Sequence, residues 1–589
     1  MIVLGMILLV GAMLDALGIV ILFPFIKGII SPDALTSEPV FIYLASLFDL
    51  TFDDNQLTVL AIVAVSFFLG KNIFGLVLAY WRNRLFNFSV ALEATAFLGR
   101  YLRAPHEFHL NRRTPEIFRN LNVSMPVIFK SVFVSVFEII FEISTGIAIF
   151  VTLLLINPHI TLSATGIVIS ILVVFGLFMP RLMKSFGRQA NALDAALVRA
   201  TLQPLHALKE ISVLGKERFF EKAYERSASN YARVKTISGT LKDSPRYVSE
   251  TILVLALVAV TFFMLDTQTS TGDLVATLGV FAAAAFRMVP SINRVIAAVS
   301  QISFARAFVD AVYSEMKALG EFTRREPANI GAPITVSRRI AFQNVSFVYP
   351  ESEYPSVKDL NIEVRRGSST AIVGASGAGK TTVINLLLGL VTPLDGQILI
   401  DDNVLDSKNL RQWQRNIGFV PQEINLIDDS LRQNVALGEK PSVVDDGRIW
   451  EILHTVQLVD FVRQLPEGLD TVLGEDGVRF SGGQRQRIGL ARALYHDPGV
   501  LIFDEPTSAL DHETEARITN TLNALRTHKT LFIVTHRLNT VRKCDALAFL
   551  EDGELNDFGT YDELVSRNEK FREMASMEAD SLVDKEAIS

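Results

Sequence analysis

Apolar residues come in two rhythms along this chain, and the change falls near residue 320. Before it they form long unbroken runs. After it they form short runs bounded by turn residues and alternating with helical spacing, as in a soluble α/β domain. A bilayer core of about 30 Å needs about 20 apolar residues per helix. Six stretches meet that need: 2–26, 57–80, 131–156, 160–180, 248–265 and 274–296. Beyond the last, ISFARAFVDAVYSEMKALGE (302–321) keeps helical spacing with charges added, so the helix is expected to continue outside the bilayer. FTRREPANIGAP (322–333) has Pro and Gly but no period and reads as a linker. The expected organisation is a membrane domain over 1–318, a linker over 319–335, an α/β domain over 336–575 and a polar tail over 576–589.

Charge orients the runs. Connector 82–130 carries eight basic residues, among them Arg82, Arg84, Arg112, Arg113 and Lys130, and connector 181–246 is equally rich. Segment 31–56 has Asp33, Glu38, Asp49, Asp53 and Asp54 with no Lys or Arg, and 157–161 and 266–273 also lack basic residues. By the positive-inside rule the two long connectors and the second half face the cytosol. The net charge of −7 gives no hint of a nucleic-acid partner. A single cysteine, Cys544, excludes a disulfide framework and suits a cytosolic second half. The first run lacks a basic flank and a cleavage site, so it reads as a membrane helix rather than a signal peptide. Its missing polar lead-in points to a start upstream of Met1.

The second half carries the chemistry. SSTAIVGASGAGKTTVINLLLGL (368–390) reads as strand, glycine loop, helix. Gly374, Ala375, Ser376, Gly377, Ala378, Gly379, Lys380 and Thr381 match G-x-x-x-x-G-K-[ST], and Thr382 continues the site into the helix. Such a loop closes backbone N–H groups around phosphates at a helix N-terminus, which points to ATP. Lys380 is expected on the β/γ-phosphates, and the Thr381 hydroxyl on Mg²⁺. GVLIFDEP (499–506) places Asp504 and Glu505 at the end of an apolar strand, where an acid points into the ligand crevice of an α/β sheet. Asp504 is expected to hold Mg²⁺ and Glu505 to act as general base on the attacking water.

With RFSGGQRQRIGLARAL (479–494) the sequence resembles the ATP-binding cassette superfamily. FSGGQ departs from the family's LSGGQ only at Phe480. The resemblance implies that Tyr349 stacks on adenine and that Gln422 senses Mg²⁺ and contacts the membrane domain. SALD (508–511) fits the D-loop, which brings Asp511 to the nucleotide, and His536 fits the switch histidine. Ser481, Gly482, Gly483 and Gln484 of one cassette would cap the nucleotide of another. No catalytic position departs from the pattern, so both sites of a dimer are expected to hydrolyse ATP. One cassette and six spans make half a transporter; a homodimer is the simplest closed assembly, with a heterodimer as the alternative. The membrane-first order resembles exporters. The connector tips near 104–115 and 203–220 would be the coupling helices that rest on the cassettes. An ATP-gated channel or sensor on the same scaffold is the alternative of another class.

Charges inside the runs bear on cargo. Arg287 and Arg294 are seven apart, so they share a helix face. Lys71 lies at a comparable depth on the second run, while Asp15, Glu138 and Glu142 supply acids. Two readings stay open. The charges pair internally, Asp15 with Lys71 and Glu138 or Glu142 with Arg287. Or Arg287, Arg294 and Lys71 form a basic wall around an anionic head group. EFHLNRRTPEIFRNL (107–121), GAMLDALGIVILFPFI (11–26), KEISVLGKERFFEKAY (209–224) and FRMVPSINRV (286–295) resemble the flippases of lipid-linked oligosaccharides. That resemblance implies transport of an anionic polyprenyl-pyrophosphate glycolipid across a bacterial inner membrane. Lipid A-like lipids, drugs and peptides are the alternatives.

Overall fold

The computed structural model describes residues 56–110, 112–156, 158–266, 271–322, 331–350, 352–474, 480–506, 519–522, 524–526 and 528–576, with nine positions between 7 and 21. It has two compact units, Met1–Ala104 with Phe108–Arg324, and Pro105–Glu107 with Arg325–Ser589. Most of run 2–26, the acidic segment up to residue 55, and the tail from 577 lie outside the described residues.

The first unit is helical. Its long helices are Gln56–Arg103, Ser135–Ile156, Pro158–His206, Glu217–Asp266 and Thr271–Phe322. Helix Thr271–Phe322 has 52 residues. At 1.5 Å per residue it is about 78 Å long, more than twice a bilayer core. One polypeptide rod therefore serves both apolar stretch 274–296 and the charged continuation at 302–321. By length and composition, three described helical stretches are long and apolar enough to cross a membrane: Ala61–Arg103, Thr114–Val151 and Met288–Gly320. The helical run that ends at Ile156 starts at Thr114 and is interrupted twice by π turns, Asn120–Ser124 and Phe129–Val134. Helices Pro158–His206 and Thr271–Phe322 approach closely at Gly187, where a Cβ would collide with the Phe304 carbonyl. Around that contact Met179, Met183, Ala190, Val234, Phe304 and Phe308 form an apolar cluster.

The second unit is built on two sheets. A four-stranded antiparallel sheet has the order β2-β1-β4-β5, with β1 Arg339–Phe347, β2 Val357–Arg365, β4 Asp395–Ile400 and β5 Asn403–Val404. The linker side of β1 is pinned by Asp401, whose carboxylate accepts the backbone N–H groups of Ser337, Arg338 and Arg339 at 2.6–3.0 Å. A six-stranded sheet has the order β10-β9-β3-β8-β7-β6. Its strands are β3 Ser369–Gly374, β6 Ile417–Val420, β7 Val500–Asp504, β8 Thr530–Val534, β9 Ala546–Glu551 and β10 Glu554–Gly559. All its pairings are parallel except the edge hairpin β9–β10.

Strands buried on both faces read as continuous apolar runs, and the strand period of two sorts their side chains. Ala371, Leu501, Phe503, Leu531 and Ile533 belong to one core, on the side of helix Gly482–Leu494. Ile372, Val500, Ile502, Phe532 and Val534 belong to the other, packed with the antiparallel sheet. Register then aligns the strand ends. Ile372 of β3 and Asp504 of β7 both pair with Val534 of β8, so β7 and β8 end level at one edge and β3 runs on to Gly374 beyond it.

Candidate functional site

The phosphate loop, Gln422, the Asp504–Glu505 pair and His536 all follow strand ends at that edge. After β3 the chain turns through Ala375–Gly379 and enters helix Lys380–Leu387. Gly379 has φ +94°, and a Cβ there would meet the Ser356 carbonyl, so only glycine fits. Ala375, Ser376 and Gly377 are exposed, as is Thr381 at the first turn, whereas Thr382 is buried. The buried Lys380 ammonium reaches back and donates to the loop carbonyls of Gly374 and Ala375 at 2.9 and 2.8 Å. Burial lowers the Lys380 pKa, and the carboxylates of Glu505 and Asp504 work against that shift. A cation here, tied only to carbonyls and facing two acids, is poised for an anionic ligand.

Asp504 ends β7, and burial raises its pKa, with Glu505 adding to the rise and Lys380 opposing it. Glu505 follows at φ +48°, a strained conformation for a residue with a Cβ. It is held there by its own N–H, which donates to the Val534 carbonyl at 2.8 Å. The twist aims its carboxylate between two loops. Gln422, after β6, donates from Nε2 to Glu505 Oε2 at 2.8 Å. His536, after β8, places Nδ1 3.2 Å from Glu505 Oε1. Four strand ends thus contribute Lys380, Gln422, Glu505 with Asp504, and His536 to one crevice.

The crevice suits a hard cation. Thr381, Gln422 and Asp504 offer oxygen donors, and two neighbouring carboxylates with one raised pKa gain from a positive charge. Among the described residues no three His, Cys, Asp or Glu side chains gather into a metal cage.

Tyr349 packs edge-on against Phe347 with ring centroids 4.8 Å apart. Its hydroxyl lies 3.5 Å from Thr382 Oγ1 and 3.4 Å from Asn385 Nδ2, so the ring stands beside the phosphate-loop helix. Asn385 was not singled out in the sequence because nothing in the motif marks it. Segment 480–484 sits elsewhere in the unit. Ser481 caps helix Gly482–Leu494 in a capping box: its hydroxyl accepts from the Gln484 N–H, and Gln484 Oε1 accepts from the Ser481 N–H. Ser481 is exposed and Gly483 buried. Phe480 is buried edge-on against Phe461, centroids 5.7 Å apart. The aromatic in place of leucine therefore fills core space. Asp511 and the rest of 507–518 lie outside the described residues.

In the first unit several charged side chains of the apolar runs form ion pairs. Lys71 meets Asp15 at 2.7 Å, as one open reading had it. Glu142 pairs with Arg294: Nε to Oε1 is 2.5 Å and a second guanidinium nitrogen donates to Oε2 at 3.2 Å. The reason lies in helix phase, which brings Glu142 level with Arg294, one residue beyond the contact of Asn293 with Ser249 at 2.9 Å. Glu138 faces Arg82 at 3.9 Å. The Arg287 side chain lies outside the described residues.

Two family descriptions match the chain: "ABC transporter transmembrane region" over residues 1–288 and "ABC transporter" over 357–508. An ATP-dependent lipid A-core flippase of Alkalilimnicola ehrlichii is 33% identical over 366 residues, 61% of this chain and 60% of the relative. A β-(1→2)glucan export ATP-binding/permease protein of Agrobacterium fabrum is 35% identical over 326 residues, 55% of this chain and 54% of the relative. The chain thus spans about 60% or less of the length of the curated relatives it matches. A solved bacterial Atm1-family exporter with ATP bound shares the fold, with a TM-score of 0.80, 24% identity and 98% of both chains covered.

Proposed function

The chain belongs to the ABC transporters, and on that premise we propose that it is half of an exporter that hydrolyses MgATP to move an amphipathic, anionic lipid. The observation that carries the ATPase reading is the grip on Glu505, held between Gln422 and His536 one residue after Asp504. In this reading Tyr349 stacks on adenine and loop residues 374–382 wrap the phosphates. Lys380 gives up the carbonyls of Gly374 and Ala375 for the β- and γ-phosphates. Thr381, Gln422 and Asp504 would hold Mg²⁺, which when bound would supply positive charge to offset that on the phosphoryl oxygens. Glu505 takes the proton of the attacking water, and its two hydrogen-bond partners fix the direction of that carboxylate. His536 then faces the γ-phosphate. Ser481, Gly482, Gly483 and Gln484 of one cassette would cap the nucleotide of the other, and Asp511 would approach it, so the working unit would be a dimer, most simply a homodimer and otherwise a heterodimer.

Cargo is the finer part of the reading. Arg294, Arg287 and Lys71 would meet an anionic head group. Two of the three already hold carboxylates, so cargo would compete with Glu142 and Asp15. A lipid-linked oligosaccharide carries both a pyrophosphate for the guanidiniums and a polyprenyl chain for the bilayer. A lipid A-type glycolipid is the second reading, favoured by the name of the Alkalilimnicola relative. The setting would be a bacterial inner membrane with the second unit in the cytosol. The connector tips near 104–115 and 203–220 would couple the two halves.

ATP hydrolysis by the purified protein in lipid nanodiscs, with and without each glycolipid, tests this. Saturable stimulation or inhibition by the polyprenyl-pyrophosphate oligosaccharide alone supports the first reading, and response to lipid A alone supports the second. Stimulated turnover favours a transporter over a gated channel. Absence of turnover without any additive would defeat the ATPase reading.

A further inference from the structure

The chain that follows Gln422 is fastened to helix Gly482–Leu494. Ile424 packs on Gly489, where a Cβ would run into three of its side-chain atoms. The Asn425 carbonyl accepts from Arg492 at 3.0 Å. Arg492 also donates from Nε to the Asn434 carbonyl at 2.9 Å, and from a terminal nitrogen to Asn434 Oδ1 at 3.1 Å. Asn434 is fully buried. Its amide knots the same loop: Oδ1 accepts the Ile427 N–H at 3.0 Å, and Nδ2 donates to the carbonyls of Ile427 and Ser430 at 2.9 and 3.1 Å. Residues 424–435 and the helix therefore form one body. Gln422, on Glu505, stands at one end of that body. Ser481, the cap of the helix, stands at the other.

The choice of residue suits the task. One planar guanidinium serves three acceptors on two separate turns of chain, which a lysine ammonium on a flexible stem does not pre-arrange. Arg492 occupies the last turn of the 13-residue helix, about 16 Å along the axis from Ser481. It is thus remote from the capping segment and contributes none of the phosphate or metal contacts assigned above.

We propose that Arg492 is a positioning residue for ATP hydrolysis. It ties the chain after Gln422 to the helix that carries Ser481 and Gly483. The hold of Gln422 on Glu505 and the placement of the capping segment on the partner copy's nucleotide then change together. Loosening the tie leaves nucleotide binding to the phosphate loop alone and slows the step that needs both.

The inference rests on the ATPase reading, and the test separates the two. Full-length wild type, Arg492→Gln, Gln422→Ala and the double variant are compared in nanodiscs for kcat, KM for MgATP and thermal midpoint. Arg492→Gln is expected to lower kcat about tenfold with KM within about twofold of wild type. In the Gln422→Ala background the same substitution is expected to change kcat by less than about twofold, because the linkage is already cut. Arg492→Lys, which keeps the charge and loses the fork, should fall between wild type and Arg492→Gln, and it carries the same cycle if Arg492→Gln does not accumulate. Multiplicative losses in the double variant, or a KM change without a kcat change, would overturn the inference, as would failure of both Arg492 variants to fold. Wild-type protein without turnover would instead defeat the ATPase reading itself.

Discussion

The pair of Glu142 and Arg294 has a lopsided setting that yields a sharp prediction. The carboxylate side chain is 4% exposed and the guanidinium 45%. Breaking a buried ion pair by removing one partner costs about 3–5 kcal/mol when the charge left behind is truly buried. Arg294→Gln leaves such a charge, although solvent near the half-exposed arginine site screens it, which brings the expected cost to about 2 kcal/mol. Glu142→Gln leaves the cation instead, half in solvent and still able to donate to the new amide, at about 0.5–1 kcal/mol. The double variant Glu142→Gln/Arg294→Gln strands no charge, so it should resemble Glu142→Gln. For a unit this large the scale is about 1–2 °C per kcal/mol, so Arg294→Gln should lower the thermal midpoint by about 2–4 °C and Glu142→Gln by about 0.5–2 °C. Purified protein in nanodiscs, followed by fluorescence on heating, reads all three. Equal losses for the two single variants, or additive losses in the double, would refute the reasoning. An unchanged midpoint for Arg294→Gln, together with loss of the glycolipid response, would assign the arginine to cargo rather than to Glu142.

Glu505→Gln should reduce steady-state turnover by about 10²–10³-fold while bound ATP is retained on rapid filtration; ready multiple turnover by that variant would contradict the base assignment. Asp504→Asn should raise the thermal midpoint of the nucleotide-free protein and abolish Mg²⁺-dependent hydrolysis, because burial and Glu505 both penalise the ionised carboxyl. A lowered midpoint would count against that account. Burial pushes the Asp401 carboxyl up, but the N–H groups of Ser337, Arg338 and Arg339 and the Arg338 guanidinium outweigh it and hold its pKa below the ordinary range. The resulting stabilisation is fully present above about pH 4 and is lost as pH falls through the lower, folded-state pKa. Asp401→Asn should therefore cost stability at pH 7 and progressively less toward pH 2, measured by denaturant melts; a gap that widens in acid would refute it.

What the sequence made legible follows from how local each feature is. The phosphate loop is a contiguous string whose glycine spacing is itself the geometry, and Asp504 and Glu505 sit at the end of one apolar strand. Their meeting with Gln422 and His536 depends on strand order, and the motif order alone implied it only through family resemblance. Arg492 was visible within 479–494 but unmarked, because its partners Asn425 and Asn434 lie about sixty residues away and follow no period. The pairing of Glu142 with Arg294 was missed for a similar reason. Depth along a helix can be counted from the sequence, whereas rotation about it depends on irregular turns that an apolar pattern does not reveal.

Those irregular turns set the phase of everything beyond them. Each π turn takes up one residue more than an α turn, so Asn120–Ser124 and Phe129–Val134 together insert two surplus residues ahead of helix Ser135–Ile156. Removing one surplus residue would let a turn relax to α geometry and swing the following segment by about 100° around its axis. Glu138 and Glu142 would move off their arginines as a unit, with no change in composition. The bulges thus act as a timing gear: the same amino acids, advanced by one tooth, would present a different lining.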